Sequence, residues 1–222
     1  MRLTFNIALA AAIVLLSHCD GKVESPTSLD DPAARLLAGN TRFYTGHPAH
    51  PNISIERVRS LAKEQHPFAI IVGCSDSRAP DEIIFDQGLG DLFVIRTAGN
   101  VIADIGLGSI EYATENLKVK YILVLGHQGC GAVKAFAEHA HPQNHIKTIL
   151  DTLVNELEIK HIAPDTINPN YLSDVVKANV IHQVNKITHS SKATEEKIQR
   201  GEIVVQGGVY DISNGRVSFL TK

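Results

Sequence analysis

The chain predicts an α/β fold: a mostly parallel central β-sheet flanked by helices, with a C-terminal edge strand. Three continuous apolar runs carry this, "FAIIVGC" (68–74), "DLFVIRTAG" (91–99) and "YILVLGH" (121–127). A strand buried on both faces is apolar throughout, whereas a half-exposed one alternates. Each run is followed by a segment of helical pattern, and strand-helix-strand order implies right-handed crossovers that cover both sides of a parallel sheet.

The elements follow in order. Residues 1–19 read as a leader: Arg2, then the apolar stretch "LTFNIALAAAIVLL", then the polar exit "SHCDGK". That stretch is shorter than the roughly 20 residues a spanning helix needs, so the expectation is export to a bacterial periplasm through a signal peptide. A lipid on Cys19 is the one membrane link it allows, although His18 is bulkier than the residue that usually precedes a lipid-modified cysteine. A polar linker spans 20–31, and the domain proper runs from 32 to 222. Asp31 and Pro32 supply an N-cap and first turn for a helix "PAARLLAGNTRFY". A second helix is predicted over 54–65, where Ile55, Val58, Leu61 and Ala62 recur at helical spacing until Pro67 stops it.

After the first strand comes the helical segment "APDEIIF". After the second comes "IADIGLGSIEYATENL", with Ile102, Ile105, Ile110, Ala113 and Leu117 on one face; after the third comes "GAVKAFAEHA". Two more helices are predicted near 146–158 and 173–188. The segment 203–220 reads as a terminal strand with a turn at Asn214-Gly215.

Composition narrows function. With 222 residues, 44% of them hydrophobic, the chain suits one well-buried domain. A net charge of −3 and no Lys/Arg run beyond a dipeptide leave no electrostatic footprint for DNA or RNA. There is no repeat or low-complexity tract.

The chemistry lies at the strand ends. Cys74 falls at the C-terminal end of the first strand, and His127 and Cys130 at the C-terminal end of the third, the edge where open α/β sheets place their sites. Two thiols and an imidazole suit Zn²⁺, and three protein ligands with one open position is the pattern of a catalytic zinc. A Cys74–Cys130 disulfide is the competing reading, but it leaves His127 without a reason. Asp76 and Arg78 alternate beyond Cys74, so the Asp76 carboxylate either takes the fourth position conditionally or is held off in the grip of Arg78, admitting water. Zinc lowers the pKa of bound water from 15.7 towards about 7. Two thiolates donate charge to the ion and weaken that effect, so activity is expected to rise into mildly alkaline pH. The histidine-rich stretch 139–145, with Pro142, reads as a solvated loop.

Four blocks, "CSDSR" (74–78), "GDLFVIRTAGN" (90–100), "SIEYA" (109–113) and "HQGCGA" (127–132), resemble the signature blocks of the β-class carbonic anhydrases. The resemblance covers roughly residues 32–222. It implies one Zn²⁺ per subunit on Cys74, His127 and Cys130, with Asp76 and Arg78 as a catalytic dyad. Zinc-bound hydroxide would attack CO2 to give bicarbonate and a proton. The resemblance also implies a homodimer or homotetramer, with the N-terminal helices packed on a partner subunit. It makes Gln65 a hydrogen-bond donor to substrate and Gly131 an amide contact for bicarbonate. Phe93, Ala98 and Tyr112 become an apolar pocket near zinc, contributed across the dimer interface. Some bacterial members hold an extra bicarbonate beside a tryptophan, and this chain has no Trp, which favours the directly accessible subtype. Two rivals are a hydrolase of a related linear substrate such as carbon disulfide and a non-catalytic zinc-binding envelope protein.

Overall fold

The computed structural model describes residues 31–153, 162 and 168–221. The leader, Cys19 and most of the linker lie outside these. Five strands form one sheet in the order β2-β1-β3-β4-β5: β1 (Ala69–Cys74), β2 (Leu92–Thr97), β3 (Tyr121–His127), β4 (Val204–Asp211) and β5 (Arg216–Phe219). The first four are mutually parallel, and β5 returns antiparallel along β4 after the Asn214-Gly215 turn.

β1 and β3 are buried along their whole length, which is why their sequences are apolar without alternation. Their side chains still divide by parity. Ile70, Val72, Ile122 and Val124 point into one core; Ala69, Ile71, Leu123 and Leu125 point into the other. The first core is covered by α4 (Asp104–Glu115), α5 (Gly131–Ala137), α6 (His145–Thr152) and α7 (Tyr171–Thr188). The second is covered by α1 (Pro32–Tyr44) and α3 (Asp81–Ile84). Helix α7 approaches β3 so closely that a Cβ at Gly126 would lie 2.5 Å from Val180 Cγ2, so only glycine fits.

The Asp31 carboxylate caps α1 by accepting the Ala33 N–H at 3.0 Å, with Pro32 in the first turn. Leu36 and Asn40 then anchor α1 on its own chain, Asn40 donating to Ile84 O and Gly215 O and accepting from the Val217 N–H. Helix α2 (Ile55–Ser60) starts at a Ser54 cap but is shorter than the predicted 54–65. None of its residues is buried, so no tertiary contact extends it past Leu61. Ile105 also departs from expectation: it is 89% exposed, because five residues before Ile110 is about 140° around the helix. One helix, α8 (Lys192–Gln199), goes unpredicted; its polar sequence "KATEEKIQ" shows little periodicity, although the Ser191 cap accepting the Thr194 N–H marks its start. Among the described residues no helix is long and apolar enough to cross a membrane.

Candidate metal centre

Because β1 and β3 are adjacent and parallel, Cys74 and His127 end at the same edge of the sheet. After His127 the chain turns at Gly129 (φ +68°), a conformation that favours glycine, and Cys130 becomes the N-cap of α5. The ligand atoms of Cys74, His127 and Cys130 all lie within 4.8 Å of one another, and all three residues are buried. Both cysteines are free thiols, which removes the disulfide reading.

The donor set fits a zinc ion on its own chemistry. His127 Nδ1 is 3.0 Å from Gln128 O, so it carries the proton and donates to that carbonyl. That leaves the Nε2 lone pair facing the two sulfurs, fully buried and without a hydrogen-bond partner. An orphaned buried acceptor is costly unless something satisfies it, and a cation coordinated jointly by the thiolates does so.

The electrostatics point the same way. The Cys130 thiol, hydrogen-bonded to Cys74, holds Cys74 down to about 4 against burial, with the Asp76 and Gly99 amides adding to it. The same contact with Cys74 pushes Cys130 upward. Two sulfurs this close suit joint coordination of a divalent cation, which binds thiolates and displaces their protons.

Asp76 stands at the rim. Arg78 grips it bidentately, Nε to Oδ1 at 2.9 Å and Nη2 to Oδ2 at 2.8 Å, and the Arg78 amide adds a third bond at 2.9 Å. This hydrogen bonding from Arg78 holds the Asp76 carboxyl well below the usual carboxylate range. Asp76 Oδ2 is 3.8 Å from His127 Nε2, so the carboxylate faces the three ligand atoms while remaining in the hands of Arg78.

Two residues that sequence reasoning missed support this loop. Arg96 donates to Cys74 O at 2.9 Å and Asp76 O at 2.7 Å, clamping the backbone of a ligand and of the dyad together. Its signal was a charge inside an otherwise apolar strand run. Asp81 lies beneath Gly73, with both carboxylate oxygens buried and unpartnered and Oδ2 3.9 Å from Arg96 Nε. Nothing in "RAPDEII" distinguishes it from an exposed helix-start acid.

The remaining candidates divide. Ala98 follows β2 next to Gly99, whose N–H reaches the Cys74 sulfur, so Ala98 borders the centre of its own chain. Gly131 opens α5 immediately after Cys130, and its Cβ position faces open space. Phe93 and Tyr112 are neighbours, ring centroids 6.4 Å apart, and Gln65 shares an open groove with Tyr112. This group lies elsewhere: Thr97 is level with Cys74 while Phe93 is level with Ile70, four residues or about 13 Å back along the sheet.

A parallel sheet that brings two thiols and an imidazole to one edge defines a metal-binding α/β protein. A family model described as carbonic anhydrase matches residues 69–217. The chain is 40% identical over 186 residues to a carbonic anhydrase of Mycolicibacterium smegmatis, covering 82% of this chain and 88% of that protein. It is 38% identical over 190 residues to carbonic anhydrase 2 of Mycobacterium tuberculosis, covering 82% and 87%. Among solved structures it resembles a tetrameric β-carbonic anhydrase of Sordaria macrospora, with a TM-score of 0.69 and 27% identity over 86% of this chain and 98% of that one. The chain belongs to the carbonic anhydrase family, in its β class, and is an enzyme of that type.

Proposed function

We propose that the protein interconverts CO2 and bicarbonate with one zinc ion per subunit, held by Cys74, His127 and Cys130. The observation that carries this is the orphaned His127 Nε2 facing two buried sulfurs beside a carboxylate locked by arginine. When bound, zinc supplies a water acidified towards neutral pH as the nucleophile. The chain's own residues do the rest. Asp76 is kept ionised by Arg78 and so has only acceptor sites to offer; it takes a hydrogen bond from the nucleophile and fixes its orientation. Arg78 also donates to Gly129 O at 3.3 Å, which ties the dyad to the turn between His127 and Cys130. Ala98 forms an apolar wall on the same chain, and the Gly131 amide is a donor for bicarbonate.

Gln65, Phe93 and Tyr112 serve substrate from a second copy of the chain, since on their own chain they lie at the other end of β1. A homodimer is therefore the smallest complete unit, and the tetrameric relative supports assembly of this kind. The apolar leader at 1–19 supports export of the mature enzyme to the periplasm.

Stopped-flow CO2 hydration on metal-analysed protein tests the reading. Asp76→Asn is expected to lower kcat at least a hundredfold with zinc retained, and Cys130→Ala to lose zinc and activity together. Wild-type protein with full zinc and no CO2 hydration would overturn the proposal.

A further inference from the structure

The Cys74 sulfur accepts two backbone hydrogen bonds, from the Asp76 N–H at 3.4 Å and the Gly99 N–H at 3.3 Å. The first comes from the same loop. The second comes from a glycine 25 positions away, at φ +72°, in the short turn after β2. A glycine has the widest conformational freedom of any residue, so its N–H stays on the sulfur only if something else holds it there.

Helix α7 does this with two buried amides on successive turns. Asn179 Nδ2 donates to Gly99 O at 3.0 Å. Gln183 Nε2 donates to Asn179 Oδ1 at 3.1 Å and to Thr152 O at 3.0 Å, and Gln183 Oε1 accepts the Ile102 N–H at 3.0 Å. Asn179 is 1% exposed and Gln183 fully buried, in a helix whose neighbours Val175, Val176 and Val180 are ordinary core. Gly99 is thus gripped from both sides, its carbonyl by Asn179 and its N–H by the Cys74 sulfur.

We propose that Asn179 is a positioning residue for the metal centre: it holds the Gly99 N–H on the Cys74 sulfur, and that hydrogen bond limits the charge Cys74 gives the ion. Hydrogen bonds to a ligating sulfur draw electron density from it and tune the metal, as outer-sphere contacts generally do. Here they have a definite task. Two thiolates make the ion less electrophilic than a site of imidazoles would, and an amide on one sulfur recovers part of the loss. Gln183 supports Asn179 and shares no bond with Gly99. The inference rests on the metal reading above but not on CO2 turnover.

The test uses full-length, ¹⁵N-labelled protein loaded with ¹¹³Cd²⁺, a spin-active stand-in for zinc. Magnetisation transfer across N–H···S–Cd is expected at the Gly99 and Asp76 amide protons of the wild type. In Asn179→Leu, which matches the shape without a donor, transfer at Gly99 is lost and transfer at Asp76 persists. In the Co²⁺-loaded variant the sulfur-to-cobalt absorption moves to lower energy, because the sulfur lone pairs rise. Asn179→Ala, which likewise carries no donor, serves if the leucine variant fails to fold, with the same loss expected. Cadmium uptake with no Gly99 transfer in the wild type would overturn this inference alone. A variant with lowered Tm but unchanged transfer and absorption would also overturn it, leaving Asn179 a purely structural residue. Failure to take up cadmium would overturn the metal reading and this inference together.

Discussion

Asp81 makes the most demanding prediction, because its carboxyl is buried at 1% exposure with neither oxygen hydrogen-bonded. Burial pushes it up to about 8, and Arg96 at 3.9 Å offsets this only in part. The unfolded chain releases this proton near 3.8, whereas the folded chain keeps it. Between those values the native state binds more protons than the unfolded state, so stability falls as pH rises. The slope is about 1.4 kcal/mol per pH unit, or on the order of 3 kcal/mol between pH 5 and 7. Asp81→Asn removes the titration while keeping the side-chain shape. In zinc-saturated protein, the Tm of the variant relative to wild type should therefore climb by roughly 6–12 °C from pH 5 to pH 7. Circular dichroism is the suitable probe, since the chain has no Trp. A Tm difference that stays flat over this interval would refute the reasoning and mean that the carboxyl finds a partner.

Two further outcomes follow from single contacts. Arg96→Gln removes the donors from the Cys74 and Asp76 carbonyls; charge-assisted bonds are worth about 1.5–3 kcal/mol each, so CO2 hydration should fall at least tenfold while zinc analysis still returns one ion per chain. Gly126→Ala forces a methyl into Val180 and should cost about 1–3 kcal/mol in urea unfolding, partly restored by adding Val180→Ala.

How much of this was legible in the sequence depended on what each residue had to encode locally. Cys74, His127 and Cys130 could be placed at one edge because β1 and β3 announce themselves as continuous apolar runs, and a parallel sheet aligns their ends. Asp76 and Arg78 were legible as a pair because a two-residue spacing in a loop suffices for the bidentate grip. Asn179 and Gln183 were not: an Asn and a Gln four apart on a helix read as solvent-facing, and only the crossing of α7 over the Gly99 turn makes them internal. Asp81 was hidden for the converse reason, since an acid at a helix start is ordinarily exposed and favourable. The extent of α2 was misread because periodicity records which residues could share a face, not whether anything packs against it.

The free edge of β2 leads to the last prediction. Strand β2 ends the sheet, with one edge unpaired by any strand of the described residues, and Ile105 (89% exposed) and Tyr112 (49%) lie seven residues apart on the same side of the nearby α4. A long uncovered strand edge flanked by exposed apolar side chains is a liability in a monomer and an interface in an assembly. If a second copy covers it, that copy brings its own Phe93, on β2, and Tyr112, on α4, towards the partner. Ile105→Glu places a charge in the interface without touching the metal ligands, the dyad or the pocket. Size-exclusion chromatography with light scattering should then show monomer, metal analysis should still return zinc, and CO2 hydration should be lost, because a monomer keeps its Gln65, Phe93 and Tyr112 group at the wrong end of β1. A monomer with wild-type turnover would show that the three ligands and the dyad suffice alone, and the substrate roles given to Gln65, Phe93 and Tyr112 would fall.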